Sequence, residues 1–229
     1  MAGLQTIIDK SNSLSIDRRK LVGIQYTRNE IARVSVTPTK NPWKFTLELP
    51  NSLRYNEARS LLEQIDRLDR ITPQIVSFGI NPNLSWLFKY QGSMTSAQIS
   101  GITVVSYVGD QLTLGTLPVI PSTRVMFEPN DLIQIVNNPY PMTSVNQVLR
   151  GSGSTVTFTV SRPNILTTVI AGEGIVVGPT CQFNLFCPNM PTYKLLPGAT
   201  LYNASGTLIN NAHIEWNDSF NLTEFVGTA

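Results

Sequence analysis

The sequence predicts a mainly β protein, and three observations support that prediction. Apolar and polar residues alternate over many short runs, which is the pattern of half-buried strands. Charged residues make up only 14 % of the 229 residues, against about 25 % in an ordinary soluble domain, and Thr, Ser and Asn replace them. Only one stretch shows a convincing helical spacing of apolar residues. We therefore expect β-sheets with a neutral, hydrogen-bonding surface, as in many assembly proteins, and one flanking helix.

The first pair of strands is predicted around a loop that contains Pro and Asn. Apolar and polar residues alternate in 30–37 and again in 43–49, where Pro50 ends the run. Two period-2 runs joined by the loop 38–42 predict a β-hairpin with one buried face.

The helix is predicted between residues 56 and 70, and Thr72-Pro73 ends it. Its apolar residues recur at three- and four-residue spacing: Ala58, Leu61, Leu62, Ile65 and Leu68. The opposite face is charged and contains i,i+4 pairs such as Glu63 with Arg67. Such a face is typical of a solvated helix surface, so we do not interpret it as a binding site.

Residues 91–180 predict a small Greek-key barrel or sandwich of the OB-like type. Short alternating runs are separated by turns, and Gly109-Asp110 is a two-residue hairpin signal. The expected strands are 102–108, 111–117, 132–136, 143–149 and 155–160.

The last segment predicts longer strands. A hairpin is expected from 201–203 and 207–209 around Ala204-Ser205-Gly206, and strands 213–216 and 220–225 complete the chain.

Two cysteines, Cys181 and Cys187, lie in one run that is predicted to be a strand. Strand geometry places both on one face but about 20 Å apart, too far to form a disulfide with each other. We expect two buried free thiols, and no metal site, because no further Cys or His ligand lies nearby.

Charge is distributed unevenly along the chain. Residues 1–90 contain 13 of the 17 Lys and Arg and have a balance of +5, whereas residues 91–229 have a balance of −3. This change predicts a domain boundary near residues 89–92.

Catalytic chemistry has little support in the sequence. The only histidine, His213, shares a strand face with Glu215, and no Gly-x-Ser-x-Gly motif accompanies it. The glycine-rich turns match neither a P-loop nor a dinucleotide fingerprint. No apolar run is long enough to span a bilayer, and the N-terminal region lacks the apolar core of a signal peptide. We therefore expect no enzyme activity, no cofactor, no metal and no membrane insertion.

An OB-like barrel raises the alternative of carbohydrate or nucleic-acid binding. The insert carries only Arg124, Arg150 and Arg162 as cations, which is few for neutralising a phosphate backbone. All three tryptophans lie outside it, which weakens a carbohydrate-binding interpretation.

The order of these elements resembles a known family. A basic segment, 17–20, leads to the strand 43–50 of sequence Trp-Lys-Phe-Thr-Leu-Glu-Leu-Pro. The helix, the β-rich insert and a closing hairpin around 198–209 follow. This layout resembles the distal tail proteins of long-tailed bacteriophages, especially those with an OB-like insertion in a tail-tube-like domain.

The resemblance implies a fold and a function. Residues 1–88 and 181–229 would form a discontinuous tail-tube-like β-sandwich or split barrel, and residues 89–180 the inserted OB-like barrel. The chain would assemble in the host cytoplasm and form a ring, hexameric by analogy, in the virion tail tip or baseplate. Its partners would be the tail tube protein and the hub, receptor-binding or baseplate proteins, with DNA only passing through the lumen.

The basic residues Arg18, Arg19 and Lys20 are the candidate inter-subunit or partner contacts. A basic first segment and an acidic remainder would give head-to-tail charge complementarity in a ring. A disordered basic N-terminal region is an equally good interpretation of the same residues. Two further functions stay open: a carbohydrate- or nucleic-acid-binding module and, least favoured, a hydrolase that acts on cell walls.

Overall fold

The protein is mainly β, as predicted, and its sheets are antiparallel. The computed structural model describes residues 3–18, 22–26, 32–36, 42–50, 53–67, 72–163, 171–196, 201–202, 205–206, 208–209 and 212–226. The first part of the chain contains helices α1 (Gly3–Lys10) and α2 (Tyr55–Asp66) and strands β1 (Ser13–Asp17), β2 (Val22–Tyr26), β3 (Ala32–Val36), β4 (Lys44–Glu48) and β5 (Gln74–Ser77).

The middle of the chain consists of short elements. They are the 3-10 turn Ser85–Phe88, α3 (Ser96–Ser100), β6 (Thr103–Val108), β7 (Gln111–Gly115), β8 (Val125–Phe127), β9 (Leu132–Ile135), β10 (Met142–Thr143), β11 (Val148–Leu149), β12 (Val156–Thr159), β13 (Ile175–Val177) and the 3-10 turn Gly178–Thr180. The expected strand 143–149 is thus split between β10 and β11, and the sequence prediction missed β8 and β13.

The chain ends with six strands. They are β14 (Gln182–Asn189), β15 (Tyr193–Leu196), β16 (Leu201–Tyr202), β17 (Leu208–Ile209), β18 (His213–Trp216) and β19 (Phe220–Glu224). Strands β16 and β17 pair with each other, as the closing hairpin predicts, and β15 pairs with β18.

A five-stranded sheet in the order β1-β4-β19-β14-β5 combines both ends of the chain. The predicted hairpin of 30–37 with 43–49 is wrong, because β3 pairs with β2, and β4 lies between β1 and β19. Phe45 of β4 is opposite Ile16 on one side and Leu222 on the other. Alternation in 43–49 correctly indicates a buried face, but it does not specify which strands lie beside it.

The prediction of a single helix is also incomplete. Helix α2 lies where it was expected, although it ends four residues early. Helix α1 buries Leu4, Ile7 and Ile8, but it has only eight residues, which is too short for a clear periodic signal. Helix α3 has only five residues, and it begins with a capping box between Thr95 and Gln98 rather than with an apolar stripe.

The buried apolar side chains of the described residues form two main clusters. The sheet cluster combines residues from 4–88 and 181–222 with Leu132, and the insert cluster is drawn from residues 94–175. Three small sheets surround the insert cluster: β12-β7-β6, β10-β9-β13 and β11-β8. The domain boundaries that the sequence predicts remain predictions.

Among the described residues, no helix combines the length and apolar character that crossing a bilayer requires.

Candidate assembly surface

One face of the five-stranded sheet is mostly polar. The alternate side chains on the side away from the sheet cluster are Ser13, Ser15, Asp17, Lys44, Thr46, Glu48, Ile75, Ser77, Gln182, Asn184, Phe186, Asn221 and Thr223. Hydrogen bonds link them across strands, since the Ser13 hydroxyl donates to Glu48 at 3.1 Å and the Thr46 hydroxyl donates to Asn221 at 3.0 Å. This face is a hydrogen-bonding surface whose charged residues, Asp17, Lys44 and Glu48, all lie on β1 and β4.

The sheet has an open edge at β1. Within the described part of the chain, β4 is the only strand that pairs with β1. A groove of about 430 Å³ beside it is lined by Ser15, Ile16, Asp17 and Arg18. The outer side of an edge strand presents backbone N–H and C=O groups that a strand of another chain can pair with.

The opposite edge, at β5, is partly covered. The Gln5 side chain of α1 accepts a hydrogen bond from the Ser77 backbone N–H at 2.9 Å and donates one to the Ser77 carbonyl at 2.8 Å. This side-chain amide thus takes the position that the backbone of another strand would occupy. The two edges of the sheet therefore differ in their capacity to pair.

Of the three predicted contact residues, the structure describes only Arg18. It follows β1, and its guanidinium lies over the Trp43 ring at 5.4 Å from the ring centroid. Desolvation by partial burial lowers its pKa from the ordinary value for arginine. Arg19 and Lys20 lie outside the described residues.

A buried ion pair joins the insert to the sheet, and sequence reasoning missed it. Arg162 donates to both carboxylate oxygens of Glu224, at 2.6 and 2.9 Å, and the two side chains are almost fully buried. The Arg162 guanidinium also lies 4.8 Å from the Trp43 ring centroid, and the Trp43 backbone N–H donates to Glu224 at 3.1 Å. The only sequence signal was a glutamate at a core-facing position of β19. That signal does not predict an ion pair, because the residue that pairs with the glutamate cannot be identified from the sequence.

A second groove lies where the insert meets the sheet, and we call it the junction groove. It has a volume of about 610 Å³ and is lined by Ile75, Gln134, Val136, Asn137, Asn138, Pro139, Val176, Thr180 and Gln182. None of these side chains is charged or aromatic. Gln134 is satisfied there, since it accepts from the Gln182 N–H at 2.7 Å and donates to the Asn138 carbonyl at 2.8 Å.

Asn138 is different, because its side chain is buried without a full set of partners. The residue is 5 % exposed, and its Oδ1 atom has no hydrogen-bond partner among the described residues. Asn138 Oδ1 and the Trp216 Nε1 are the two buried side-chain polar atoms without a partner among the described residues, and both are enclosed by the protein.

The residues considered for catalysis, His213 and Glu215, lie on one strand, and the two cysteines lie at another, β14. His213 and Glu215 lie on β18 opposite Leu196 and Lys194 of β15. In the described ranges there is no group of three His, Cys, Asp or Glu side chains that could hold a metal ion. Cys181 and Cys187 are both buried and do not form a disulfide with each other, as predicted, and burial raises the pKa of Cys181.

No model of a known protein family matches the chain, and no curated protein gives a significant match to it.

Proposed function

We propose that this protein is a structural subunit of a bacteriophage tail tip or baseplate, which forms a ring, hexameric by analogy, by pairing neighbouring copies. The ring continues the tail tube in the virion and docks the hub, receptor-binding or baseplate proteins, while DNA passes through its lumen. In this proposal, 1–88 and 181–229 form the tail-tube-like domain, and 89–180 are the inserted OB-like barrel. The resemblance in element order supports the proposal.

The open β1 edge carries the argument. An exposed edge strand favours uncontrolled association, and proteins that keep one usually cover it or pair it. If each copy contacts the next one head-to-tail and the rotation between neighbouring copies closes a ring, the edge strand of every copy is covered.

The first experiment combines native mass spectrometry of the purified chain with negative-stain images of the same sample. We expect a ring with a central hole. The matched variants are Ser15→Lys on the open edge β1 and Thr157→Lys on β12, the edge strand of another sheet. A lysine on an edge strand opposes strand addition. We therefore expect Ser15→Lys to abolish rings and Thr157→Lys to retain them, with unchanged circular dichroism in both. Rings that persist in Ser15→Lys would contradict pairing through β1.

The basic segment is tested separately. Charge reversal at Arg18, Arg19 and Lys20 is expected to weaken ring assembly without unfolding the subunit. The control reverses Arg59 and Arg67, which are exposed on α2. Equal assembly in both variants would assign the basic segment no role in contacts between copies.

A further inference from the structure

The hydrogen-bond pattern of the five-stranded sheet shows which backbone groups β1 directs to its open edge. Directly opposite residues in an antiparallel pair alternate between exchanging hydrogen bonds and exchanging none. The Glu224 N–H donates to the Trp43 carbonyl at 2.9 Å, so alternate residues of β4, counted from Trp43, bond to β19. The residues between them bond to β1, where Thr46 is opposite Ser15. Ile16 therefore directs its backbone N–H and C=O groups to the open edge.

Strand β15 is a second open edge, and its surface is apolar. Among the described residues, β18 is the one strand that pairs with β15. The side chains of Leu195 and Leu196 are 48 % and 45 % exposed, and an exposed apolar edge strand favours association. The Asn217 N–H donates to the Thr192 carbonyl at 2.9 Å, at the end of the pairing between β15 and β18. By the same alternation, Leu195 directs its backbone groups away from β18, to the open edge.

The charge on β15 restricts which strand can pair with it. Lys194 is exposed and lies opposite Glu215 of β18. A lysine on an edge strand opposes the addition of a strand that brings no counter-charge. Strand β1 brings one, because it carries Asp17, which lies opposite Lys44 of β4. The two open edges therefore carry opposite charges.

One antiparallel register between β1 and β15 satisfies these conditions together. With Ile16 opposite Leu195, the two residues that direct their backbone groups outward exchange hydrogen bonds, and their apolar side chains lie on one face. The same register places Asp17 opposite Lys194 in a pair that exchanges no hydrogen bonds, where opposite side chains are closest. The paired segment of β1 is then 15–18, the four residues that line the groove beside this edge.

We propose that β1 of one copy pairs antiparallel with β15 of the next copy, with Ile16 opposite Leu195 and Asp17 opposite Lys194. The five-stranded sheet then continues into the sheet of β15 and β18. A row of alternating charges crosses the contact: Lys44, Asp17, Lys194 and Glu215. Because the two strands differ, the contact is head-to-tail and can repeat around a ring. The inference rests on the proposed ring and identifies the partner of its open edge.

A disulfide between copies tests the strand and the register together. The proposed register places Ser15 opposite Leu196, and a pair of this kind has a Cα separation of about 4.5 Å, which suits a disulfide. A chain that carries both Ser15→Cys and Leu196→Cys is oxidised and run on a non-reducing gel. We expect a ladder of linked dimers, trimers and larger species, because each copy links to two neighbours.

The matched control is Ser13→Cys with Leu196→Cys, which tests the register shifted by two residues. In the proposed register these two positions are diagonal neighbours about 7–8 Å apart, so we expect about tenfold less linked product. Unsubstituted protein gives the background, since Cys181 and Cys187 are buried.

Each outcome of the cross-linking decides a part of the proposal. A ladder no stronger than that of the control overturns the contact, whether or not rings form, and a product that ends at the dimer overturns its head-to-tail character. Rings without the ladder leave the proposed function intact and assign the interface elsewhere. A ladder without closed rings supports the contact and contradicts the ring.

The charge pair gives an independent readout. Asp17→Asn and Lys194→Gln are each expected to raise the concentration at half assembly about threefold in sedimentation velocity. The double variant should assemble no more weakly than either single variant, because both changes remove the same interaction. The control is Arg33→Gln, which removes the cation of β3, and its effect should add to that of Asp17→Asn. Additive effects of Asp17→Asn and Lys194→Gln, or coupling of Asp17 to Arg33 instead, overturn the proposal.

Discussion

The two main clusters of the molecule are built from different side chains and by different routes along the chain. The sheet cluster is rich in aromatic residues, and Phe183 contacts four of them, Trp43, Phe45, Phe78 and Phe88, at centroid distances of 5.1 to 6.1 Å. The insert cluster is mostly aliphatic and contains three methionines, Met94, Met126 and Met142.

The two clusters also differ in how far apart in the sequence their residues lie. The insert cluster is drawn from one continuous stretch, whereas the sheet cluster requires residues from both ends of the chain. Contacts that are distant in sequence form only after long loops close, which slows folding. The comparison teaches that the insert cluster is completed by residues within 94–175, whereas the sheet cluster needs both ends of the chain.

The largest loss of stability is expected when Phe183, the ring that contacts four other aromatic rings, is truncated. Phe183→Ala should lower the free energy of unfolding by about 4 kcal/mol, because it removes four ring contacts and leaves a cavity. Phe158→Ala in the insert should cost less, about 3 kcal/mol, since this side chain contacts one ring, Phe127, and lies on an edge strand. Equilibrium unfolding in urea measures both. A larger loss for Phe158→Ala would contradict the ranking.

The ion pair between the clusters comes next. Arg162→Met should cost about 3 kcal/mol, because it leaves the buried Glu224 carboxylate without its counter-charge. The double variant Arg162→Met/Glu224→Leu should recover part of that loss, since the unpaired charge is then removed. Urea unfolding followed by tryptophan fluorescence and by circular dichroism gives the coupling energy. Additive losses in the double variant would show that the pair is not coupled.

A smaller effect is expected within the insert at Asp131. This buried carboxylate accepts hydrogen bonds from the backbone N–H groups of Gln91 at 2.8 Å, Gly92 at 3.2 Å and Glu128 at 2.8 Å. Asp131→Asn replaces an acceptor with a donor and should cost about 2 kcal/mol in thermal or urea unfolding. Unchanged stability would contradict the role of these bonds in holding the start of the insert.

The same residue gives a pH dependence with a definite sign. Desolvation raises the pKa of Asp131 above its ordinary value, although the three N–H donors oppose that shift. The folded state therefore binds the proton more tightly than the unfolded state. The contribution of Asp131 to the free energy of unfolding therefore decreases as the pH rises from the ordinary carboxyl pKa to above the raised pKa of the folded state. Subtracting the stability profile of Asp131→Asn isolates this fall, and a difference that rises over the same interval would contradict it.

The smallest effect is expected on the surface of α2. Glu63 and Arg67 form an i,i+4 ion pair at 2.7 Å, and both side chains are mostly exposed. Glu63→Gln should lower the free energy of unfolding by about 0.4 kcal/mol, and less at high salt. A loss above 1 kcal/mol, on the order of a buried interaction, would show that this face packs against something.

Local features of the fold could be predicted from particular residues. The turn at Gly109-Asp110 joins β6 to β7, and Gly109 has a φ of 59°, which glycine adopts without strain. The alternation around Phe45 indicated a strand with one buried face, and the spacing of Ala58, Leu61 and Leu62 indicated α2. Each of these signals depends on residues that are neighbours in sequence.

The candidate surfaces could be predicted only in part. Arg18 was identified by its charge, but its position over Trp43 was not, and Arg19 and Lys20 lie outside the described residues. No sequence signal indicated the buried Asn138 oxygen, because the groove beside it is lined by β13 and β14 as well as by residues near it in sequence.

The sequence by itself determined the mainly β character, the strand at β4, the helix at α2, the closing hairpin and the buried state of both cysteines. Only the tertiary structure decided that β4 lies between β1 and β19, that Arg162 pairs with Glu224, and that β1 has β4 as its one strand partner among the described residues. The physical reason is that alternation of apolar and polar residues along a strand shows which of its side chains are buried, and this alternation depends only on the strand's own residues. The neighbours of a strand depend on packing between segments up to 181 residues apart, such as Trp43 and Glu224.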